Sequence, residues 1–372
     1  MRIAFVDITR WDYNVDSPYQ RPMGGSQSAL CYLAEELAKR GHEVSLFNAS
    51  SQVSVTRGVT CAPAAKVSAT AWKEQDVVVV QNFADSAADL RPLLSEGAKL
   101  ILWTQHAHDQ PAMKGLLNPH LRDAHDAFVF VSDWQKCQFE AVFQVDPQRS
   151  TVLRNAISPA FQNLFRDDEP ILSRKPQHPV LAYTSTPFRG LNVLLAAFPL
   201  IRESLPDATL KVYSSMQVYQ MAAEKDAAQY GAIYERCRTT TGVEYIGSVP
   251  QRQLAQELLD ATLLAYPNHF AETSCISVME AMAAGCQVVT SQLGALPETT
   301  AGFGTLIPMS DDWQIYGKQF VDRTIDVLRQ YLHSENSVEE RLREQVSYIN
   351  SHCTWRQRAQ QWEAWLSTLV AK

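Results

Sequence analysis

The sequence predicts an α/β protein of two doubly wound domains, and three observations predict it. Its 372 residues exceed what one ordinary core organises and suit two domains of about 150 to 200 residues each. Short apolar runs of strand length recur in both halves, separated by stretches with helical spacing, which is the alternation of βαβ units. Between about Phe161 and Pro179 a charged stretch punctuated by Pro170, Pro176 and Pro179 reads as the linker. The domains are expected at 1–168 and 169–354, with a C-terminal helix at about 355–372.

In the first half, Arg2 to Asp7 reads as a buried strand. The stretch from Ser26 to Arg40 is a helix, with Leu30, Leu33, Ala34 and Leu37 on one face and Gly41 as its stop. The strand HEVSLF completes the unit. The connection Ile8 to Gly25 is long for such a unit, and long loops at the carboxyl ends of parallel strands are usually functional. Gly24 and Gly25 stand just before the helix start, where missing side chains let the backbone approach a ligand; a plain flexible hinge is the alternative. Further strands are expected at Val77 to Val80, Lys99 to Trp103 and Phe128 to Ser132. His106 lies just past the second of these, as a ligand residue or as a satisfied structural histidine, whereas His108, His120 and His125 read as surface or packing residues. Ser132-Asp133 reads as the cap of the helix DWQKCQFEAVF.

The second half opens with VLAYTST at 180 to 186, then a helix from about Leu191, the strand ATLKVYSS, a helical segment and VEYIGSV. Pro250 precedes the helix Gln251 to Leu259, a favourable first-turn position. The strand TLLAYP leads to the stretch from Tyr266 to Glu298, around which the chain is organised. Thr273 or Ser274 can cap a helix that runs from Cys275 to Ala284 and stops at Gly285. Its first N–H groups, from about Ser274 to Ile276, carry a partial positive charge that attracts phosphate. Glu280, about 7 Å further along, is placed to accept hydrogen bonds from ribose hydroxyls, and Glu272 to hold a sugar on the phosphate's other side. From Ser310 onward the pattern is helical, and Trp355, Trp362, Trp365, Leu366 and Leu369 share an amphipathic face suited to core packing.

Composition narrows the function. With 46% hydrophobic and 20% charged residues the chain is a globular one, and a net charge of −7 argues against a nucleic-acid backbone as partner. Seven cysteines without a C-x-x-C pair signal neither a disulfide framework nor a zinc site, and packing cysteines in the cytosol are the plain reading. The N-terminus enters a strand directly and no apolar run approaches the roughly 20 residues of a membrane helix, so a cytoplasmic protein with at most peripheral membrane contact is expected.

The stretch from Tyr266 to Glu298 resembles the signature of glycosyltransferase family 4. Glu272 and Glu280 have seven residues between them, EAMAAG runs from 280 to 285, Val288-Val289 follows, and Gly294 to Glu298 fits the closing G-x-x-P/A-E loop. Thr273 and Cys275 depart from the usual glycines, and Gln287 from a proline. The turn Ser185 to Gly190 aligns with a G-R-x4-K-G pattern whose two cations clamp a diphosphate; Arg189 keeps one, and Thr184 stands where the other belongs. TVLRNAI at 151 to 157 resembles the strand and turn with which the family leaves its first domain.

The resemblance implies a GT-B fold, with two Rossmann-like domains facing a cleft and the last helix crossing back to the first. It implies a retaining, metal-independent transfer of a hexose from a nucleotide diphosphate sugar, first guess UDP-glucose, to an acceptor hydroxyl. The acceptor would be a saccharide or lipid-linked saccharide of a surface polysaccharide. Glu272, His106 and Arg189 would be catalytic: Glu272 orienting the donor sugar, His106 contacting it, and Arg189 stabilising the departing diphosphate. Gly24, Gly25, Ser185, Val249, Pro250, Ser274, Cys275, Ile276 and Glu280 would bind the donor, with Val249 and Pro250 at the base. No metal ligands and no cofactor are expected. A nucleotide-sugar epimerase of the same fold and a catalytically inactive or regulatory nucleotide-sugar-binding protein are the alternatives. A dinucleotide oxidoreductase lacks its G-x-G-x-x-G after the first strand, and a phosphorylase lacks a lysine motif for pyridoxal.

Overall fold

The computed structural model describes residues 1–166, 168–333 and 335–371, with the side chain of Glu335 also left aside; Asp167 of the expected linker and the last residue of the expected C-terminal helix lie outside the described residues. Contacts divide the chain into two units. One holds Met1–Gln20, Gly25–Ala156 and the chain from Trp355 onward, the other Arg21–Gly24 and Ile157–Thr354.

The first unit is built on strands β1 (Arg2–Val6), β2 (Glu43–Asn48), β3 (Ser54–Thr56), β4 (Val59–Pro63), β5 (Val77–Gln81), β6 (Lys99–Trp103), β7 (Ala127–Phe130) and β8 (Ser150–Val152). Their order is β3-β4-β2-β1-β5-β6-β7-β8, parallel except for the β3–β4 pair. Val77 to Val80 are wholly buried, as a parallel strand covered on both faces requires. The helix Gly25–Lys39 buries Leu30, Leu33, Ala34 and Leu37, each leucine contributing about 1.5–3 kcal/mol. Trp355, Trp362 and Leu366 of the helix Trp355–Val370 are buried in this unit: Trp362 meets Trp103 edge-on with centroids 5.2 Å apart, and Arg358 Nε donates to the Asn155 carbonyl at 3.1 Å. Trp365 and Leu369 are half-buried.

The second unit carries β9 (Val180–Tyr183), β10 (Thr209–Val212), β11 (Val243–Tyr245), β12 (Leu263–Tyr266), β13 (Gln287–Gln292) and β14 (Thr305–Pro308). These form an all-parallel sheet in the order β11-β10-β9-β12-β13-β14. The charged stretch before β9 is bound to this unit by its backbone and by one buried lysine. The amides of Ile171 and Leu172 each donate to the Glu339 carboxylate at 2.9 Å. Lys175 Nζ caps the carbonyls of Leu258, Ala261 and Ala284 at 3.0, 2.7 and 2.6 Å, and burial lowers its pKa.

Among the elements that differ from the sequence reading are a hairpin, a further strand and the bounds of the central helix. The hairpin of β3 and β4 was unforeseen because β3 is a three-residue edge strand with Val55 exposed; its turn, Arg57-Gly58, takes positive φ at both residues (51° and 78°), as a two-residue hairpin loop requires. β14 was masked by the glycines before it. The helix of the central stretch is Ile276–Ala283, with Cys275 at its N-cap and no side-chain capping bond, so neither Thr273 nor Ser274 caps it. Both stand too far out, and the Cys275 thiol that takes the place is buried in the core. Among the described residues no helix is long and apolar enough to cross a membrane.

Candidate active site

In the second unit the chain steps outward from β9 to β10 and β11, then returns to the other side of β9 with β12. The crevice beyond the carboxyl ends of β9 and β12 is therefore the switch point of the sheet, where open α/β folds bind ligands. The loop after β9 carries Ser185 and Arg189, and the loop after β12 carries Glu272. Parallel pairing of the two strands brings these distant segments together.

Arg189 Nη1 donates to Glu272 Oε1 at 2.6 Å, and the Tyr266 hydroxyl donates to the same oxygen at 2.6 Å. The Ser185 hydroxyl lies 3.3 Å from that phenol. The guanidinium stands 4.6 Å from the Phe270 ring centroid and 5.5 Å from that of Phe188, so two aromatic faces shield the ion pair. Glu272 is 4% exposed. Burial opposes the charge on Arg189, but the carboxylate beside it holds its pKa well up. Burial and the same carboxylate push the Tyr266 phenol well up, so it stays a donor.

The backbone of Glu272 is fixed as firmly as its side chain. Ala295 N donates to the Glu272 carbonyl at 2.7 Å, and Gly294, at φ +58°, lies so close that a Cβ there would sit 2.5 Å from that oxygen. Gly190, at φ +106°, admits the Pro267 carbonyl where a Cβ would sit 2.1 Å from it. Gly294 and Gly190 thus each stand where another backbone passes against them.

Behind Glu272 the helix Ile276–Ala283 begins, with Ser277 Oγ donating to the Thr184 carbonyl at 2.9 Å and Cys275 N facing Thr299 Oγ1 at 3.5 Å. The first bond sets the start of this helix beside the loop that follows β9, and the second engages the Cys275 N–H. Glu280 is buried on this helix; its Oε1 accepts from Ser158 N at 3.0 Å, and the Gln251 side chain bonds it as well. Burial pushes Glu280 up to about 8 against those two bonds. Gln251 opens the helix that follows Val249 and Pro250, so Glu280 and that loop are joined directly. Pro250 is the N-cap of that helix, one position before the first turn, and Gly247 before it takes φ +83°.

Of the remaining candidates, Gly25 and His106 lie in the first unit and Gly24 in the second. Gly25 opens the helix Gly25–Lys39 and Gly24 immediately precedes it. The loop from β1 is pinned rather than loose: Asp7 accepts from the Tyr13 hydroxyl at 2.6 Å and Gln27 Nε2 at 3.1 Å, and Asn48 Nδ2 donates to the Tyr13 carbonyl at 2.8 Å. His106, after β6, has its N–H on Thr104 Oγ1 at 3.1 Å and its carbonyl on Gln135 Nε2 at 2.8 Å. His125 is a packing residue, buried with Nδ1 3.0 Å from the Leu121 carbonyl and its pKa pushed down to about 4 by burial.

Tyr266, Phe188, Phe270 and the backbone of Ala295 were not nominated from sequence. Tyr266 had a readable signal: a phenol at the last position of a buried parallel strand must find a polar partner just past the strand end.

Residues 179–325 match the family described as "Glycosyl transferases group 1". No curated protein matches the chain by sequence. Among solved structures the chain is similar to sucrose-phosphate synthase from Thermosynechococcus elongatus, at TM-score 0.71 and 16% identity over 100% of this chain and 99% of that one. HepE of Anabaena, solved in complex with UDP, aligns at TM-score 0.70 and 15% identity over 99% and 100% of the chains. WaaG, a glycosyltransferase involved in lipopolysaccharide biosynthesis, aligns at 0.64 and 16% over 96% and 98%. At these identities the likeness establishes the two-unit GT-B fold.

Proposed function

From a chain that carries a group 1 glycosyl transferase domain at residues 179–325, we propose a retaining hexosyltransferase. It moves a sugar, with UDP-glucose as the first donor to try, onto a hydroxyl of a saccharide or lipid-linked saccharide in surface glycan synthesis. The observation that carries this reading is Glu272, held by Arg189 and Tyr266 at the sheet's switch point and followed by a helix start and a second buried glutamate. HepE, of the same fold, has also been solved with UDP-glucose, which motivates the donor.

In this reading the diphosphate rests against the amides of Ser274, Cys275 and Ile276, with Arg189 offering its remaining N–H groups. Arg189 Nε is buried and without a hydrogen-bond partner among the described residues, as a group reserved for an anion would be. Charge developing on the leaving diphosphate is met by these donors without a metal ion, once the Cys275 N–H exchanges its long bond to Thr299 Oγ1 for a phosphate oxygen. Glu272 accepts hydroxyls of the donor sugar and opposes the positive charge that grows at its anomeric carbon. Glu280 accepts from the ribose, and Ser185, Val249 and Pro250 flank phosphate and base.

A panel of nucleotide sugars, read by thermal stabilisation and by turnover, tests the proposal. Stabilisation and donor turnover are expected with at least one nucleotide hexose, and stabilisation by nicotinamide cofactors instead contradicts it. One feature favours a second reading, a binding protein without turnover: Arg189 is already matched by Glu272, and Thr184 stands where a second cation is expected. That reading predicts stabilisation alone.

A further inference from the structure

Tyr266 ends β12 with its ring packed at 5.9 Å from that of Tyr183 and its side chain 1% exposed. A tyrosine so buried brings a hydroxyl that costs stability unless it is bonded, and here it is bonded twice. The phenol donates to Glu272 Oε1 at 2.6 Å, so the Ser185 hydroxyl, 3.3 Å away, is left to donate to the phenol oxygen. Arg189 Nη1 reaches the same Oε1 at 2.6 Å. Two donors converging from different directions on one carboxylate oxygen fix the torsion of the carboxyl group, which one donor alone does not.

We infer that Tyr266 is a positioning residue of the donor site: with Arg189 it occupies Oε1 of Glu272 and thereby presents Oε2, in one fixed direction, to the hydroxyls of the donor sugar. The inference rests on the glycosyltransferase reading and deepens it, because it separates sugar recognition from nucleotide recognition. The phenol's hydrogen bonds go to Glu272 and Ser185, and among the described residues neither goes to the nearby amides of Ser274 to Ile276 or to Glu280. Its burial beside Glu272 raises the phenol's pKa well above the usual range, so the donor persists at any working pH.

The test is Tyr266→Phe in the full chain, which keeps the ring packing and removes only the hydroxyl. Affinity for a nucleoside diphosphate and for its hexose ester is measured side by side, using UDP with UDP-glucose and GDP with GDP-mannose, together with kcat and KM for the donor. The expected result is diphosphate affinity within about twofold of the parent, with nucleotide-sugar affinity and kcat/KM lower by about tenfold or more, the scale of a hydrogen bond to a charged group. Tyr266→Met, which fills the buried site without a hydroxyl, is expected to shift the same ratio in the same direction, and it serves if the phenylalanine variant folds poorly. Equal losses for diphosphate and sugar ester assign Tyr266 a merely structural role and overturn the inference, as does an unchanged ratio. A parent protein that binds neither diphosphates nor their sugar esters removes the glycosyltransferase reading together with the inference; a parent that binds both, with variants that do not separate them, removes the inference alone.

Discussion

Glu272 and Glu280 are the same residue, equally buried at 4% and 3% exposure, with seven residues between them, and they meet opposite environments. Glu272 faces a guanidinium and a phenol in a loop. Glu280 faces a backbone amide and a carboxamide on a helix, with no cation on its carboxyl among the described residues, and burial lifts its pKa to about 8. Partners, more than depth, distinguish these two buried acids: Glu272 is held by a cation and a phenol, whereas Glu280 is lifted by burial into the working pH range.

The largest effect is expected from removing the charge of the first acid. Glu272→Gln leaves Arg189 shielded by Phe188 and Phe270 without its counter-ion, a loss of about 3–5 kcal/mol for a broken buried pair. Donor turnover is expected to fall by at least about a hundredfold. Chemical denaturation and a donor assay read the two effects separately, and retained turnover withdraws Glu272 from the site.

Glu280→Gln sharpens the contrast through pH. Below the ordinary value of 4.5 the carboxyl is protonated in folded and unfolded chains alike, and its stabilising contribution is whole. Between 4.5 and about 8 the folded chain keeps a proton that the unfolded chain releases, so this contribution is lost as pH rises. The glutamine variant has no such loss. It is expected to match the parent near pH 4.5 and to exceed it at pH 9 by roughly 2–4 kcal/mol, while binding nucleotide less well. Denaturant midpoints at the two pH values check it; a variant less stable at pH 9 contradicts it.

Much of this contrast was legible beforehand. The spacing of the two glutamates, the strand Val77 to Val80 and the helix Gln251–Leu259 are local patterns, and the structure carries them. What sequence spacing does not report is which backbones touch. Gly294 reads as a loop glycine until the Glu272 carbonyl is seen against it, and Tyr266 as a core aromatic until β9 brings Arg189 alongside. The cap at Cys275 was missed because burial of its thiol outweighed the capping preference of Thr273 and Ser274.

Gly294→Ala tests the backbone half of the Glu272 environment. Its Cβ would meet the Glu272 carbonyl at 2.5 Å at a positive φ, so about 1–3 kcal/mol of stability and several-fold in turnover are expected to be lost. An equally active variant shows that the loop yields. The smallest effect is a gain: Thr184→Lys restores a cation near the helix start and is expected to tighten diphosphate binding by about three- to tenfold at low salt, a gain that fades as salt is raised. Titration at two ionic strengths decides it.

The proposed donor site turns on a pyrophosphate seated on the amides that open the helix Ile276–Ala283, between these two acids. A crystal structure with a bound nucleotide sugar decides it. Phosphate oxygens are expected on the N–H groups of Ser274 to Ile276, the hexose on Glu272 and the ribose on Glu280. A nucleotide bound elsewhere, with those amides unliganded, contradicts it.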